Sequence, residues 1–399
     1  MNRSNRVPAL AAVLIFAAGV GAAPAARAEV KTRAFRQAFP AGTAELRLAN
    51  LAGRIELVRG QGSEVVVEAT VFADGDGEAE TQRLLQGMKW VKSHDREGRP
   101  EWALSYPVDK VRSFHYPRPG GDDESVPAFL SFLDNSQTTT TYRGEKVRIY
   151  AKKRGSAPTL YANLRIALPP GGNLAVRNAV GRVRGGDLEG SLTIDTGSGD
   201  VQLASHAGRL VVDTGSGNVV VGSAKGETSI DTGSGDVVVR RLVGNGSMDT
   251  GSGNVIVENV SAGKLSIDTG SGDVSVRQGV AARVMAETGS GNVQVVGVEL
   301  EELEADTGSG DVTVHSSLAR AKRITAETGS GNVHIKGGAD ASFDIESHQG
   351  SGELSVGYAD ATLRKSGRKV VGAKRGGGQT VIRVETGSGD CVISPKGVS

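Results

Sequence analysis

The chain has a single cysteine, Cys391, in 399 residues, so no disulfide can form within it. Cys391 stands where most copies of the repeat described below have valine, and it reads as a buried core thiol. Aromatic residues make up 4% of the chain, and none lies between Ala162 and Ser342. That long stretch therefore lacks the Trp and Tyr anchors on which binding hot spots usually rest. Neither sign of charge dominates: the formal net charge is +1, which leaves no global pull toward nucleic acid or an anionic membrane. Long apolar runs are also missing. The stretch Ala9–Val20 is shorter than the roughly 20 residues a spanning helix needs, and nothing later approaches that length.

Glycine is abundant, with 57 residues against a usual share of about 7%. Much of it sits in a repeated sentence, D-T-G-S-G-[DN]-V. The threonine falls at Thr196, Thr214, Thr232, Thr250, Thr269, Thr288, Thr307, Thr328 and Thr386, and a degenerate copy puts Gln349 in that slot. Most steps are 18 to 21 residues. A short fixed period means stacked units, each too small to bury a core alone.

With the threonine as position zero, positions −4 and −2 are apolar (Leu192/Ile194, Leu210/Val212, Leu265/Ile267, Ile382/Val384), as are +5 and +7 (Val201/Leu203, Val219/Val221, Val274/Val276). A period of two on both sides of T-G-S-G predicts strand, tight glycine corner, strand. Apolar residues about 11 positions on, at Val243, Val280 and Leu318, predict a short third side. The corner glycines, Gly197, Gly199, Gly215, Gly217, Gly233 and Gly235 in the first copies, are assigned the positive φ of the turn. The threonine hydroxyls, in the inward phase, are expected to bond within the corner. The Asp at −1 is expected to face outward and accept corner N–H groups as an Asx turn. Asn178 and Asn50 occupy the threonine slot in two cryptic earlier copies.

Position +4 alternates: Asp200, Asn218, Asp236, Asn254, Asp273, Asn292, Asp311, Asn332. Rungs stack about 4.8 Å apart. At that distance Asp on Asp repels by roughly 1 kcal/mol even in water. Asn between them substitutes an amide-to-carboxylate bond. The alternation favours one copy per rung over a two-copy coil.

The opening L-x-L-x-N-x-x-G-x-I-x-L (Leu46 to Leu57), the VVVEAT strand, the EAETQRLL helix, the LPPGGNLAVRN segment and the tandem T-G-S-G-D corners together resemble the bacterial β-strand-repeat family of unknown function labelled "putative adhesin", of the DUF4097 type. They are also similar to the GIN adhesin-head domains. The resemblance implies an exported β-solenoid and brings no catalytic residues with it.

Several motifs suggest chemistry. D-T-G-S surrounds the catalytic aspartate of aspartic proteases, but those enzymes need one proton-sharing pair rather than a tandem series. Gly-Asp coils can hold calcium. Here the spacer between the second glycine and the aspartate is missing and there is one motif per 18 residues, so no cofactor is expected and calcium on the −1 carboxylates is the rival reading. A threonine ice-binding face conflicts with the inward phase of Thr196. His315 and His334 fall at non-equivalent positions and read as surface histidines.

The expected organisation has four parts. Residues 1–28 form a signal peptide, with Arg3 and Arg6 before the apolar stretch and Ala26-Arg27-Ala28 as the cleavage site. Residues 29–72 are N-terminal solenoid strands. Residues 73–158 are an α+β insert with a helix over Glu78–Val91, strands around Trp102 and Val147, and a long loop from Tyr116 to Gln137. Residues 159–399 are solenoid repeats with a basic loop at 359–380. The fold class is thus all-β, a single elongated β-solenoid with a small α+β insert. The insert holds most of the aromatics, and Trp90, Trp102, Tyr106 and Tyr116 are the candidate recognition residues. The function expected is a non-enzymatic exported protein, periplasmic or extracellular, presenting a rigid surface to an envelope or cell-surface protein or glycan. A carbohydrate-binding or carbohydrate-active protein using the insert, and a periplasmic scaffold for a protein partner, stay open beside it.

Overall fold

The computed structural model describes residues 30–42, 44–117 and 137–396. The expected signal peptide and most of the Tyr116–Gln137 segment lie outside them. The fold is almost entirely strand, with one helix, Glu78–Gly87, among the described residues. The chain divides into two compact units, Met1–Gly199 and Asp200–Ser399.

In the second unit each repeat is one rung, paired in parallel with the next. Val201 stands beside Val219, Val219 beside Val237 and Val237 beside Val255. On the other side of the corner Val212 stands beside Ile230, Ile230 beside Met248 and Met248 beside Ile267. Successive copies are therefore direct neighbours, and the two-copy coil does not occur in this unit. All these side chains are buried, which is the outcome of the period-two pattern: a slip of one residue would expose the whole set. The third side is short, and its inward residues are Ala224, Leu242 and Val260. Val280, expected there, is instead 40% exposed. Copies one residue longer take up the extra residue on this side, where Asn259 and Gln278 adopt positive φ of 47° and 55°.

The corner differs from expectation in three ways. Positive φ is confined to the second glycine of the early copies, such as Gly235 at 142° and Gly253 at 153°. Later copies keep glycine at this slot for another reason. A Cβ on Gly272, Gly291, Gly310 or Gly331 would overlap the carbonyl oxygen of the equivalent glycine one rung back. The first glycine is equally confined, since a Cβ on Gly233 would sit 2.6 Å from the Gly215 oxygen. Second, the buried threonines bond between rungs as well as within the corner. Thr307 donates to the Gly291 carbonyl at 2.7 Å and accepts the Gly310 N–H at 3.1 Å. Thr250, Thr269, Thr288 and Thr328 make the same donation to the rung before. Third, the N–H of the first corner glycine goes to the previous threonine carbonyl, as Gly251 does to Thr232 at 3.0 Å, and is not left for an Asx turn.

The +4 column forms a second ladder. Each side-chain oxygen accepts the backbone N–H of the +4 residue in the next rung: Asp236 from Asn254 at 2.8 Å, Asn254 from Asp273 at 2.9 Å and Asp273 from Asn292 at 2.8 Å. The Asn amides also donate to the preceding carboxylate, Asn292 to Asp273 at 3.1 Å. Alternation thus removes Asp–Asp contacts and adds a bond.

In the first unit the same rung is built from distant segments. Leu174 to Asn178 pairs in parallel with Leu192 to Thr196 on one side and with Leu46 to Asn50 on the other. Asn50 and Asn178 replace threonine in the ladder: Asn50 donates to the Asn178 side-chain oxygen at 3.1 Å across 128 residues of sequence. The insert is stitched onto this rung. Trp102 and Ala103 pair with Leu48 and Ala49, and Trp90–His94 pairs antiparallel with Pro100–Leu104. The helix ends at Gly87, short of Val91, because Trp90 and Val91 belong to that hairpin.

Candidate functional site

The four aromatic candidates separate into two pairs. Tyr106 is fully buried, and its hydroxyl donates to the Asn50 side-chain oxygen at 2.9 Å and the Ala52 carbonyl at 3.0 Å. Its phenol ends the asparagine ladder, and burial pushes its pKa well up. Tyr116 is buried against Tyr161, centroids 5.1 Å apart. These two hold the insert to its rung and offer no surface to a ligand. Trp90 and Trp102 are half-buried on either side of Phe39, at 5.8 Å and 5.5 Å, and the Lys92 ammonium lies 5.7 Å from the Trp102 ring centre. This small aromatic face with a cation beside it is what remains of the aromatic site.

Composition and motif reading missed a buried ion pair close by. Arg177 donates to Glu101 at 2.7 Å, with both side chains largely shielded, and stands beside Asp195 in register. Burial raises the Asp195 carboxyl, with the Arg177 charge opposing. The signal was available: Arg177 occupies a slot that holds Asp or Glu in the later copies. Cys391 is buried and its thiol is pushed up to about 12 by burial, so it is a core residue.

The second surface is the −1 column of the repeats. Asp213, Asp231, Asp249, Asp268, Glu287, Asp306, Glu327 and Glu385 stand side by side on successive rungs, with His348 beyond Glu385. Unlike the +4 column it has no alternation. Asp306, Glu327, Glu385 and His348 line a shallow hollow of about 410 Å³ over the threonine corners. Partial burial and then neighbouring carboxylates raise the Asp249, Glu287 and Glu327 carboxyls.

This has a consequence for stability. A carboxyl raised in the folded state holds its proton more tightly there than in the unfolded chain. Its contribution is therefore full below the unfolded value of 4.5 for Glu287 and is lost as pH rises through the folded value. Glu287→Gln is expected to lose less stability than the parent between pH 4.5 and 7. Parallel denaturant titrations at several pH values check this, and identical pH slopes for the two proteins would remove Glu287 from the column's repulsion.

No curated protein matches the chain. Among solved structures it is similar to a "putative lipid binding protein" from Parabacteroides distasonis, at 13% identity over 89% of this chain and 96% of that one, with a TM-score of 0.33. It is also similar to a "putative adhesin" from the same organism, at 11% identity over 90% and 96%, with a TM-score of 0.34. A third is a "putative cell adhesion protein" from Clostridium sporogenes, at 9% identity over 92% and 100%, with a TM-score of 0.15. Likenesses of that depth carry no functional argument. The match to a family model is firmer and covers the repeats from the Thr232 copy onward: residues 229–394 match the family described as Toastrack DUF4097, the family that the tandem T-G-S-G-D corners resemble.

Proposed function

We propose that this chain is a non-catalytic, exported module whose rungs form a β-solenoid and present a rigid surface to an envelope or cell-surface partner. The observation that carries the reading is where the polar groups of the repeat go. The threonine hydroxyls and the +4 side chains, the groups a repeated motif could have offered to a substrate, are committed to rung-to-rung bonds. The motif therefore supports the scaffold. What faces outward is a set of straight columns of small, polar or acidic side chains, together with the Trp90–Trp102 face on the insert. No bound cofactor is part of this reading.

Recognition is assigned to the insert, because Trp102 combines an apolar ring, partial exposure and a neighbouring cation, the composition of a hot spot. The same face favours a glycan as one class of partner, since sugar rings stack on aromatic side chains. A binding screen against glycans and envelope proteins tests the assignment. Trp102→Ala is expected to abolish the binding that the parent shows, with Gln202 and Gln294 substitutions on the repeat face leaving it intact. The reverse pattern would move the site onto the repeats, and turnover of a polysaccharide by the purified protein would overturn the non-catalytic reading.

A further inference from the structure

The last repeat is out of sequence order in space. Thr380–Thr386 pairs in parallel with Arg323–Thr328 on one side and with Phe343–Gln349 on the other. Cys391–Pro395 is likewise flanked by Val333–Gly337 and Leu354–Val356. The C-terminal copy is thus threaded between two rungs that precede it in the chain. The +4 ladder follows the spatial order: Asp390 donates its N–H to Asn332, 58 residues earlier, and accepts the N–H of Glu353, 37 residues earlier. Removing 37 of those 58 residues restores the 21-residue step between Asp311 and Asn332. Residues 343–379 therefore constitute an insertion within the final repeat.

Its two faces differ. The last repeat is bonded to the rung before it by the full pattern, with Thr386 donating to the Gly331 carbonyl at 3.0 Å and Asp390 to Asn332 at 2.9 Å. The insertion meets the last repeat's other edge with backbone pairing and the Asp390–Glu353 bond but without the threonine bond. Gln349 fills the threonine slot, and its buried amide nitrogen and oxygen have no hydrogen-bond partner among the described residues. Beyond this rung Lys369–Arg375 and Thr362–Ser366 run antiparallel. The outermost strand is exposed throughout and carries Lys365, a charge that keeps an open edge from recruiting another strand, while Arg364 folds back to donate to Asp344 at 2.6 Å.

We propose that residues 343–379 are an edge cap that prevents the last repeat from pairing with a second copy of this chain. Without it the edge of Thr380–Thr386 is a regular strand template. Paired with itself antiparallel about Val384, it sets Arg383 opposite Glu385 in both directions, a self-complementary arrangement suited to a two-fold dimer.

Two variants of the full chain test this. In Gly352→Val a Cβ would overlap the Gly389 carbonyl oxygen and wedge the cap rung off the last repeat. In the second variant residues 343–379 are deleted, joining Ser342 to Thr380. Light scattering is expected to give the mass of a dimer for both variants at micromolar concentration, twice the mass of each variant's own chain. Hydrogen exchange is expected to show protection retained at Arg323–Thr328 and, in Gly352→Val, lost at Phe343–Gln349. Adding Arg383→Glu to either is expected to return the mass of a single chain of that variant. A single-chain mass for the two variants with the earlier rungs still protected would overturn the proposal. So would loss of protection throughout the repeats, which would make the insertion integral to the fold, or a doubled mass that persists with Arg383→Glu.

Discussion

Gly291→Val is expected to lower the melting temperature by roughly 6–12 °C, the shift that corresponds to about 3 kcal/mol in a domain of this size. The reason is spacing. Rungs lie about 4.8 Å apart, and a Cβ at position 291 would occupy the place of the Gly272 carbonyl oxygen. That oxygen cannot swing away freely, because it accepts the Thr288 hydroxyl at 2.8 Å. The φ of Gly291 is not in the left-handed region, so backbone strain is not the cause. Gly186, whose added Cβ would meet nothing within 4 Å, is the control and should accept alanine with a change within about 0.5 kcal/mol. Damage in the middle of the stack should exceed the same change near its end. Equal melting temperatures for Gly291→Val and the parent would mean that the rungs are not packed at this corner.

Thr307→Val is expected to cost about 2 kcal/mol although its shape is nearly unchanged. Valine removes a hydroxyl that serves two half-buried backbone groups, the Gly291 carbonyl and the Gly310 N–H. Among the described residues neither group has another hydrogen-bond partner at the corner. Thr307→Ser keeps both bonds and loses only a methyl group, so it should fall between parent and valine. Chemical denaturation of the three proteins decides the matter. If valine matched or exceeded threonine in stability, burial of the side chain rather than the hydroxyl ladder would be the reason for threonine in this slot.

Much of the rung was legible in the sequence because its information is local. Ile230 and Val237 declare their inward phase by alternation with polar neighbours, and Asp236 and Asn254 declare their adjacency by charge. The direction of the threonine bond was not legible, since a hydroxyl on the inward side of a corner could reach its own turn or the rung before. Nor was the role of the later glycines: Gly235 and Gly291 are the same letter, yet one has positive φ and the other only lacks space. Tyr106 and Tyr116 looked like surface anchors because they sit in a polar, glycine-rich insert. The burial of Tyr106 follows from pairing between Leu48 and Trp102, and that of Tyr116 from pairing between His115 and Thr159, contacts that no local pattern announces. The threaded last repeat did leave a trace. In chain order the +4 series ends Asn332, Glu353, Asp390, breaking the alternation; in spatial order Asp390 follows Asn332 and the alternation continues.

That order of rungs can be read directly by cysteine crosslinking. Thr325, Arg383 and Glu346 all face outward at equivalent positions, with Arg383 between the other two. Adjacent rungs place Cα atoms within the roughly 4.4–6.8 Å that a disulfide spans, whereas two rungs are about 9.6 Å apart. Under mild oxidation the Thr325→Cys/Arg383→Cys pair is expected to close a disulfide and the Thr325→Cys/Glu346→Cys pair to stay reduced. Closure of the second pair and not the first would put the rungs in chain order and contradict the threaded last repeat.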